Sequence, residues 1–225
     1  MTDGTLADRL ARTRERVEDA ARASGRDPSE LTIIVVTKFH PASLVRELAA
    51  LGVRDVGENR AHEAVVKASE LSDLPLRWHF VGQLQSNKAR QVRAFASAVH
   101  SLDRPSLVDA LRSDDRELDC FVQLNLTDDP GRGGVSETEF LSLSERVLRT
   151  PGLRLRGVMA VAPLGEEPRR AFARVRQASE RLRTIAPDAD AISAGMSGDF
   201  AEAIAEGATH LRLGTAITGM RPDRA

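Results

Sequence analysis

Tyrosine is absent from the 225-residue chain, cysteine and tryptophan occur once each, and lysine stands only at positions 38, 67 and 88. Each shortage excludes something. Without tyrosine there is no phenol to serve as a catalytic acid or base. The lone Cys120 cannot form an intrachain disulfide, which fits a reducing compartment, and in the apolar segment Cys-Phe-Val-Gln-Leu it reads as a buried structural thiol. No apolar stretch approaches bilayer-spanning length, and Asp and Arg residues occupy the N-terminus where a signal peptide needs an apolar core. A cytoplasmic location is expected. The formal net charge of −1 comes from interleaved acids and bases, so neither a nucleic-acid footprint nor a polybasic membrane patch is indicated. Five histidines show no metal-ligand spacing and have no second cysteine to join them, so no metal site is expected. Gly214 and Gly219 are spaced as in a P-loop, but Met220 stands where the lysine is required.

What is present is an alternation. An amphipathic helix over 5–23 carries Leu6, Leu10, Val17 and Ala21 near helical spacing, and Gly25 and Pro28 end it. Strands are expected over 33–38, 55–58, 77–81, 98–102, 119–126, 155–161, 191–194 and 210–213, with helices filling the gaps, for example over 42–50, 61–69, 88–95, 137–148, 169–185 and 200–206. Eight strands alternating with helices, and no long linker, predict an α/β fold: a single (β/α)8 TIM barrel spanning 1–225 with an extra N-terminal helix. An open doubly wound sheet is the second choice. Arg132-Gly-Gly134 reads as a flexible loop.

Ile33 to Val36 are four consecutive β-branched residues, the signature of a strand buried on both faces. Lys38 closes that strand, where α/β barrels place their chemistry. An arginine cannot condense with a carbonyl, so in a chain otherwise rich in arginine few covalent amine sites are open. Lys67 and Lys88 end no strand and read as solvated helix residues. Because inner and outer faces swap at every strand residue, Leu211 and Leu213 facing the helices turn Arg212 toward the axis; Trp78 and Phe80 likewise turn His79 inward, and Phe121, Gln123 and Asn125 form another inward set. Taken singly, each of these polar groups also fits a satisfied core residue. After the seventh strand comes Ser193-Ala-Gly-Met-Ser-Gly-Asp199, and after the eighth Leu213-Gly-Thr-Ala-Ile-Thr-Gly219. Both are glycine-bearing turns with a hydroxyl residue, Ser197 and Thr215, at the place where α/β barrels bind phosphate. Each alone also fits a helix cap or simple turn.

Val-Thr-Lys38 with Pro41, Gly57-Glu-Asn59 with Glu63, Trp78-His-Phe-Val-Gly82 followed by Leu84-Gln-Ser-Asn-Lys88, Arg156-Gly-Val-Met159, Gly195-Met-Ser197 with Asp199, and Arg212-Leu-Gly-Thr-Ala-Ile217 together carry a resemblance. From the N-terminal helix to Gly219 the chain resembles the pyridoxal phosphate homeostasis protein family, whose fold is the alanine-racemase-like barrel without its second domain. The resemblance implies pyridoxal 5'-phosphate (PLP) as cofactor, held as a Schiff base by Lys38. Ser197, Gly214 and Thr215, with backbone amides around Met196, would hold its phosphate. Arg212 would face the pyridine nitrogen, Asn59 would line the ring near its 3-hydroxyl, and His79 is a further neighbour. His62 and Gln83 depart from the family's pattern at the rim. The expected function is PLP homeostasis and carriage by a monomer without catalytic residues, with apo PLP-dependent enzymes as partners. Two enzymatic alternatives stand beside it. One is a PLP-dependent racemase or decarboxylase, weakened because related racemases use a tyrosine opposite the lysine; the other is an aldolase-like barrel in which Lys38 attacks a sugar-phosphate carbonyl.

Overall fold

A computed structural model describes residues 4–127 and 129–220. The chain opens with α1 (Leu6–Ala23), started by a capping box in which Thr5 and Asp8 satisfy each other's backbone N–H groups. Then strands and helices alternate: β1 (Thr32–Val36), α2 (Ala42–Ala50), β2 (Asp55–Glu58), α3 (Ala61–Glu70), β3 (Arg77–Phe80), α4 (Ala89–Phe95), β4 (Ala98–Leu102), α5 (Pro105–Leu111), β5 (Leu118–Gln123), α6 (Phe140–Arg149), β6 (Leu153–Met159), α7 (Pro168–Arg183), β7 (Ala191–Ser193), α8 (Phe200–Ala205), β8 (His210–Leu213) and α9 (Thr215–Thr218). Each strand pairs in parallel with the next, and β8 closes on β1. The (β/α)8 barrel expected from the alternation is therefore the fold, and the open sheet is excluded.

The apolar core lies between strands and helices. Trp78 and Phe80 point into it, with Trp78 edge-on to Phe95 at 6.1 Å. Cys120 is buried there too, and burial pushes its thiol pKa up, away from thiolate chemistry. Inside the barrel Phe121, Met159 and Ala191 form a small apolar cluster, and Ile34 also faces the axis, alongside buried polar side chains. The register advances by one residue between Cys120–Leu155 and Phe121–Gly157, and Gly157 makes this possible: a Cβ there would lie 1.7 Å from the Ala191 carbonyl oxygen.

α1 is more than an addition. Arg9 Nε donates to the Ile217 carbonyl at 2.8 Å and Thr13 Oγ1 to that of Ala216 at 3.3 Å, so this helix fixes the segment after β8. β1 ends at Val36 rather than at Lys38, because the chain turns at Thr37–His40. α5 fills a gap for which no helix bounds were drawn, and α9 was not expected. The Arg132–Gly134 segment follows a 3-10 turn (Pro130–Arg132) and returns along β5 through a bridge of Val135 to Leu124. Asn125 lies beyond the end of β5, where its amide donates to the Asp129 carbonyl and its oxygen accepts from Thr127; it serves that loop and not the barrel axis.

Candidate functional site

Lys38 lies in a tight turn closed by the His40 N–H on the Thr37 carbonyl at 3.1 Å. Along β1, Ile34 stands opposite Arg212, and Val36 lies beside Gly57 and Gly214, so this parity faces the axis. Lys38 continues it at the C-terminal mouth, exposed, with Nζ 5.7 Å from the Phe39 ring centroid. Phe39 has φ +69°, the left-handed region that a bulky residue enters only at a cost of order 1–3 kcal/mol. Its N–H donates to Glu63 Oε1 at 2.6 Å, and the Arg60 guanidinium covers its ring at 4.7 Å.

Lys67 is buried and not solvated. Its ammonium donates to Glu58 Oε1 (2.7 Å), Glu63 Oε1 (2.9 Å) and the Thr37 carbonyl (2.9 Å). Burial raises the Glu58 pKa in spite of that cation, and Glu58 Oε2 has no partner.

Asn59 follows β2 at the same mouth. Its Oδ1 is buried without a hydrogen-bond partner, the kind of orphan that an incoming donor would satisfy. Gly82 presses against it: a Cβ there would fall 2.3 Å from the Asn59 carbonyl oxygen, so only glycine allows the two loops to touch.

The loops after β7 and β8 meet as well, since the Ala216 N–H donates to Ser197 Oγ at 3.4 Å. Gly195 has φ +89° and no room for a Cβ, which would sit 2.8 Å from Ala203 Cβ. Among the described residues, the amides of Ser197, Gly198 and Thr215 donate to no protein acceptor. The Met196 amide is taken, donating to Asp199 Oδ1 at 2.6 Å, and the Met196 side chain is exposed. Gly214 opens the second turn, and Thr215 is exposed.

Beneath the mouth an unbroken chain of hydrogen bonds runs down the barrel. Arg212 Nη1 meets Ser193 Oγ (2.8 Å), Ser193 Oγ meets His100 Nδ1 (2.8 Å), His100 Nε2 meets His79 Nδ1 (2.9 Å) and His79 Nε2 meets Asp55 Oδ1 (2.9 Å). The ends set its direction, because a guanidinium only donates and a carboxylate only accepts. With neutral rings, one arrangement satisfies every member: each group donates toward Asp55. Burial, then the neighbouring His79, His210 and Arg212, lowers the His100 pKa well below its ordinary value, which keeps that ring neutral. For Asp55, burial acts to raise the pKa, but hydrogen bonds from His79 and Arg77 outweigh it and hold the carboxyl low. Arg212 Nη2 also donates to the Ala160 carbonyl at 2.8 Å, and burial lowers its pKa to about 10, still a cation at neutral pH.

Of the eight residues singled out by sequence, seven sit at the mouth or, for Arg212, directly below it. His79 does not. It lies deeper, spending both ring nitrogens on Asp55 and His100, and lines a cavity of about 280 Å³ at the opposite end of the barrel with Asp119 and His210. Sequence reasoning missed His100, Ser193 and Lys67. The first two lie on strands whose alternation marks them as inward; for Lys67 only the Glu63 spacing was visible. Among the described residues no group of three His, Cys, Asp or Glu side chains could hold a metal ion, and no helix is long and apolar enough to cross a membrane.

The family described as alanine racemase, N-terminal domain, matches residues 9–222. The pyridoxal phosphate homeostasis protein of Pseudomonas aeruginosa is 41% identical over 225 residues, covering 96% of each chain. Its counterpart in Escherichia coli is 38% identical, covering 96% of this chain and 97% of that one. Among solved structures, PipY of Synechococcus elongatus with PLP bound is similar at a TM-score of 0.83 and 35% identity, covering 96% of this chain and all of that one. Alanine racemase from Corynebacterium glutamicum shares the fold alone, at a TM-score of 0.71 and 16% identity over 96% of this chain and 61% of its own.

Proposed function

Since the chain belongs to the alanine racemase N-terminal domain family, and within it to the pyridoxal phosphate homeostasis proteins, we propose that it binds PLP covalently through Lys38 and acts in holding and handing over this cofactor, with no robust catalysis of its own. PLP supplies an aldehyde that condenses with a primary amine and a phosphate that carries negative charge. The observation that carries the reading is the position of Lys38: it alone of the three lysines continues the axis-facing parity of a strand with its amine exposed at the mouth, while Lys67 is consumed by two carboxylates.

The residues present fit the group. Asn59 Oδ1, buried and unpartnered, would accept from the ring hydroxyl. The free amides of Ser197, Gly198 and Thr215, with the Ser197 and Thr215 hydroxyls, would bind the phosphate, Gly214 would leave room for it, and Met196 would flank it. Arg212 would face the ring nitrogen. A permanent cation there holds that nitrogen unprotonated, which weakens the ring as an electron sink and disfavours carbanion chemistry. Any influence of His79 on the ring would pass through His100, Ser193 and Arg212.

The non-catalytic part rests on the missing second base. The chain has no tyrosine, and Cys120 faces the helices with its thiol pKa raised by burial. Apo PLP-dependent enzymes are the proposed recipients, a monomer the proposed state, and the cytoplasm the proposed compartment, supported by a single, buried cysteine. On adding PLP the protein gains visible absorbance from a C=N link, and D- or L-alanine then exchanges its α-proton in heavy water no faster than with PLP and free lysine. Absence of the new absorbance contradicts the binding reading; exchange at an enzyme-like rate contradicts the non-catalytic one.

A further inference from the structure

Both peptide groups that flank Lys38 end on one buried cluster. The Thr37 carbonyl, which precedes Lys38, accepts from Lys67 Nζ at 2.9 Å. The Phe39 N–H, which follows it, donates to Glu63 Oε1 at 2.6 Å. Lys67 Nζ and Glu63 Oε1 are themselves 2.9 Å apart, and Glu58 Oε1 completes the cluster with Lys67 at 2.7 Å and the Thr37 hydroxyl at 2.7 Å. The cluster lies on the outer side of the barrel, between β2 and α3, so none of these side chains competes with Lys38 for the mouth.

We propose that Lys67 and Glu63 are positioning residues for Lys38: a charged clamp that holds the backbone on either side of it and aims its amine at the cofactor aldehyde. This rests on the PLP reading above. The physical case has three parts. First, a one-turn loop has few contacts of its own, and Lys38 projects its amine into solvent on a flexible four-carbon stem; fixing the Cα on both sides is the available means of limiting where Nζ goes. Second, the clamp is charged at both contacts, and hydrogen bonds to ionised partners are shorter and about twice as strong as neutral ones. Third, Phe39 keeps φ +69°. The Glu63 bond to its N–H opposes relaxation of that strained peptide, and relaxation would swing the Lys38 side chain away from the axis. A buried lysine bridging two glutamates is costly to assemble, and replacing such a cluster by apolar groups is often neutral for stability. A role in aiming Lys38 accounts for it better than stability does.

When Lys38 reacts, its neutral amine adds to the aldehyde carbon, a C=N bond forms and water leaves, so the rate depends on how often Nζ meets that carbon. The test compares Glu63→Ala with Glu63→Gln, whose amide oxygen still accepts from Phe39, and adds the charge-balanced pair Lys67→Met/Glu58→Gln. Three readouts are taken on the whole chain: the rate at which the visible absorbance appears with PLP, the affinity for pyridoxamine 5'-phosphate, which cannot join Lys38, and hydrogen exchange of the 37–40 amides without ligand. Glu63→Ala and the double variant are expected to slow the absorbance about tenfold, to speed that exchange, and to keep pyridoxamine phosphate affinity; Glu63→Gln stays within about twofold of the parent. A Glu63→Ala chain with parental exchange and parental rate overturns the clamp, and so does equal loss of pyridoxamine phosphate binding. Absence of the absorbance in the parent chain overturns the PLP reading instead, and the exchange readout still decides on the clamp.

Discussion

Replacing His100 by Leu lowers the stability of the folded chain by about 4 kcal/mol, seen as a fall of roughly 10 °C in melting temperature. His100 is fully buried at the centre of the axial chain, bonded on one side to Ser193 and on the other to His79, with its ring stacked on Phe121 at 4.3 Å. Leucine fills much of the volume but leaves the Ser193 hydroxyl donor and the His79 acceptor without partners, and each buried orphan costs about 1–3 kcal/mol. The coupling is the sharper signature. Adding Ser193→Ala to the His100 variant removes one of the two orphans, so the double variant is less destabilised than the two single losses combined. A His100→Leu chain within about 1 kcal/mol of the parent, or full additivity with Ser193→Ala, contradicts a connected chain.

Acid weakens the fold well before the carboxylates protonate. Burial, together with His79 and Arg156, lowers the His210 pKa to about 4, whereas in the unfolded chain a histidine titrates near 6.5. Because the folded value is depressed, the unfolded state takes up the proton first; stability is whole above about pH 6.5 and drains away as pH falls toward 4. At pH 5 this one residue costs about 2 kcal/mol. His100 acts in the same direction, its pKa being lowered as well. Urea midpoints at pH 7.5 and pH 5 measure the effect, and His210→Asn recovers part of it. Equal midpoints at the two pH values contradict buried neutral histidines.

The barrel was legible because its strands are short β-branched or apolar runs separated by helical periods, and four consecutive β-branched residues at Ile33–Val36 admit little else. The bounds of α5 were not legible because its seven residues show barely two turns of periodicity, and α9 escaped because a single turn shows none. The mouth residues were legible through turn chemistry and the motif resemblance. Lys67 was misread for a physical reason: a lysine that ends no strand is by default solvated, and only the fold brings Glu58 and the Thr37 carbonyl over it. The axial chain hid in the same way. Alternation marks His79, His100, Ser193 and Arg212 as inward one at a time, but which of them touch depends on the relative heights of β3, β4, β7 and β8, and no single strand encodes that.

The central claim is a covalent bond between one amine and the PLP aldehyde, and the direct measurement is borohydride reduction of the PLP-treated protein followed by peptide mass mapping. The account predicts one reduced adduct, on Lys38, lost in Lys38→Ala while Lys67 and Lys88 stay unmodified. An adduct on either of those lysines in the parent chain, or none at all, would contradict it.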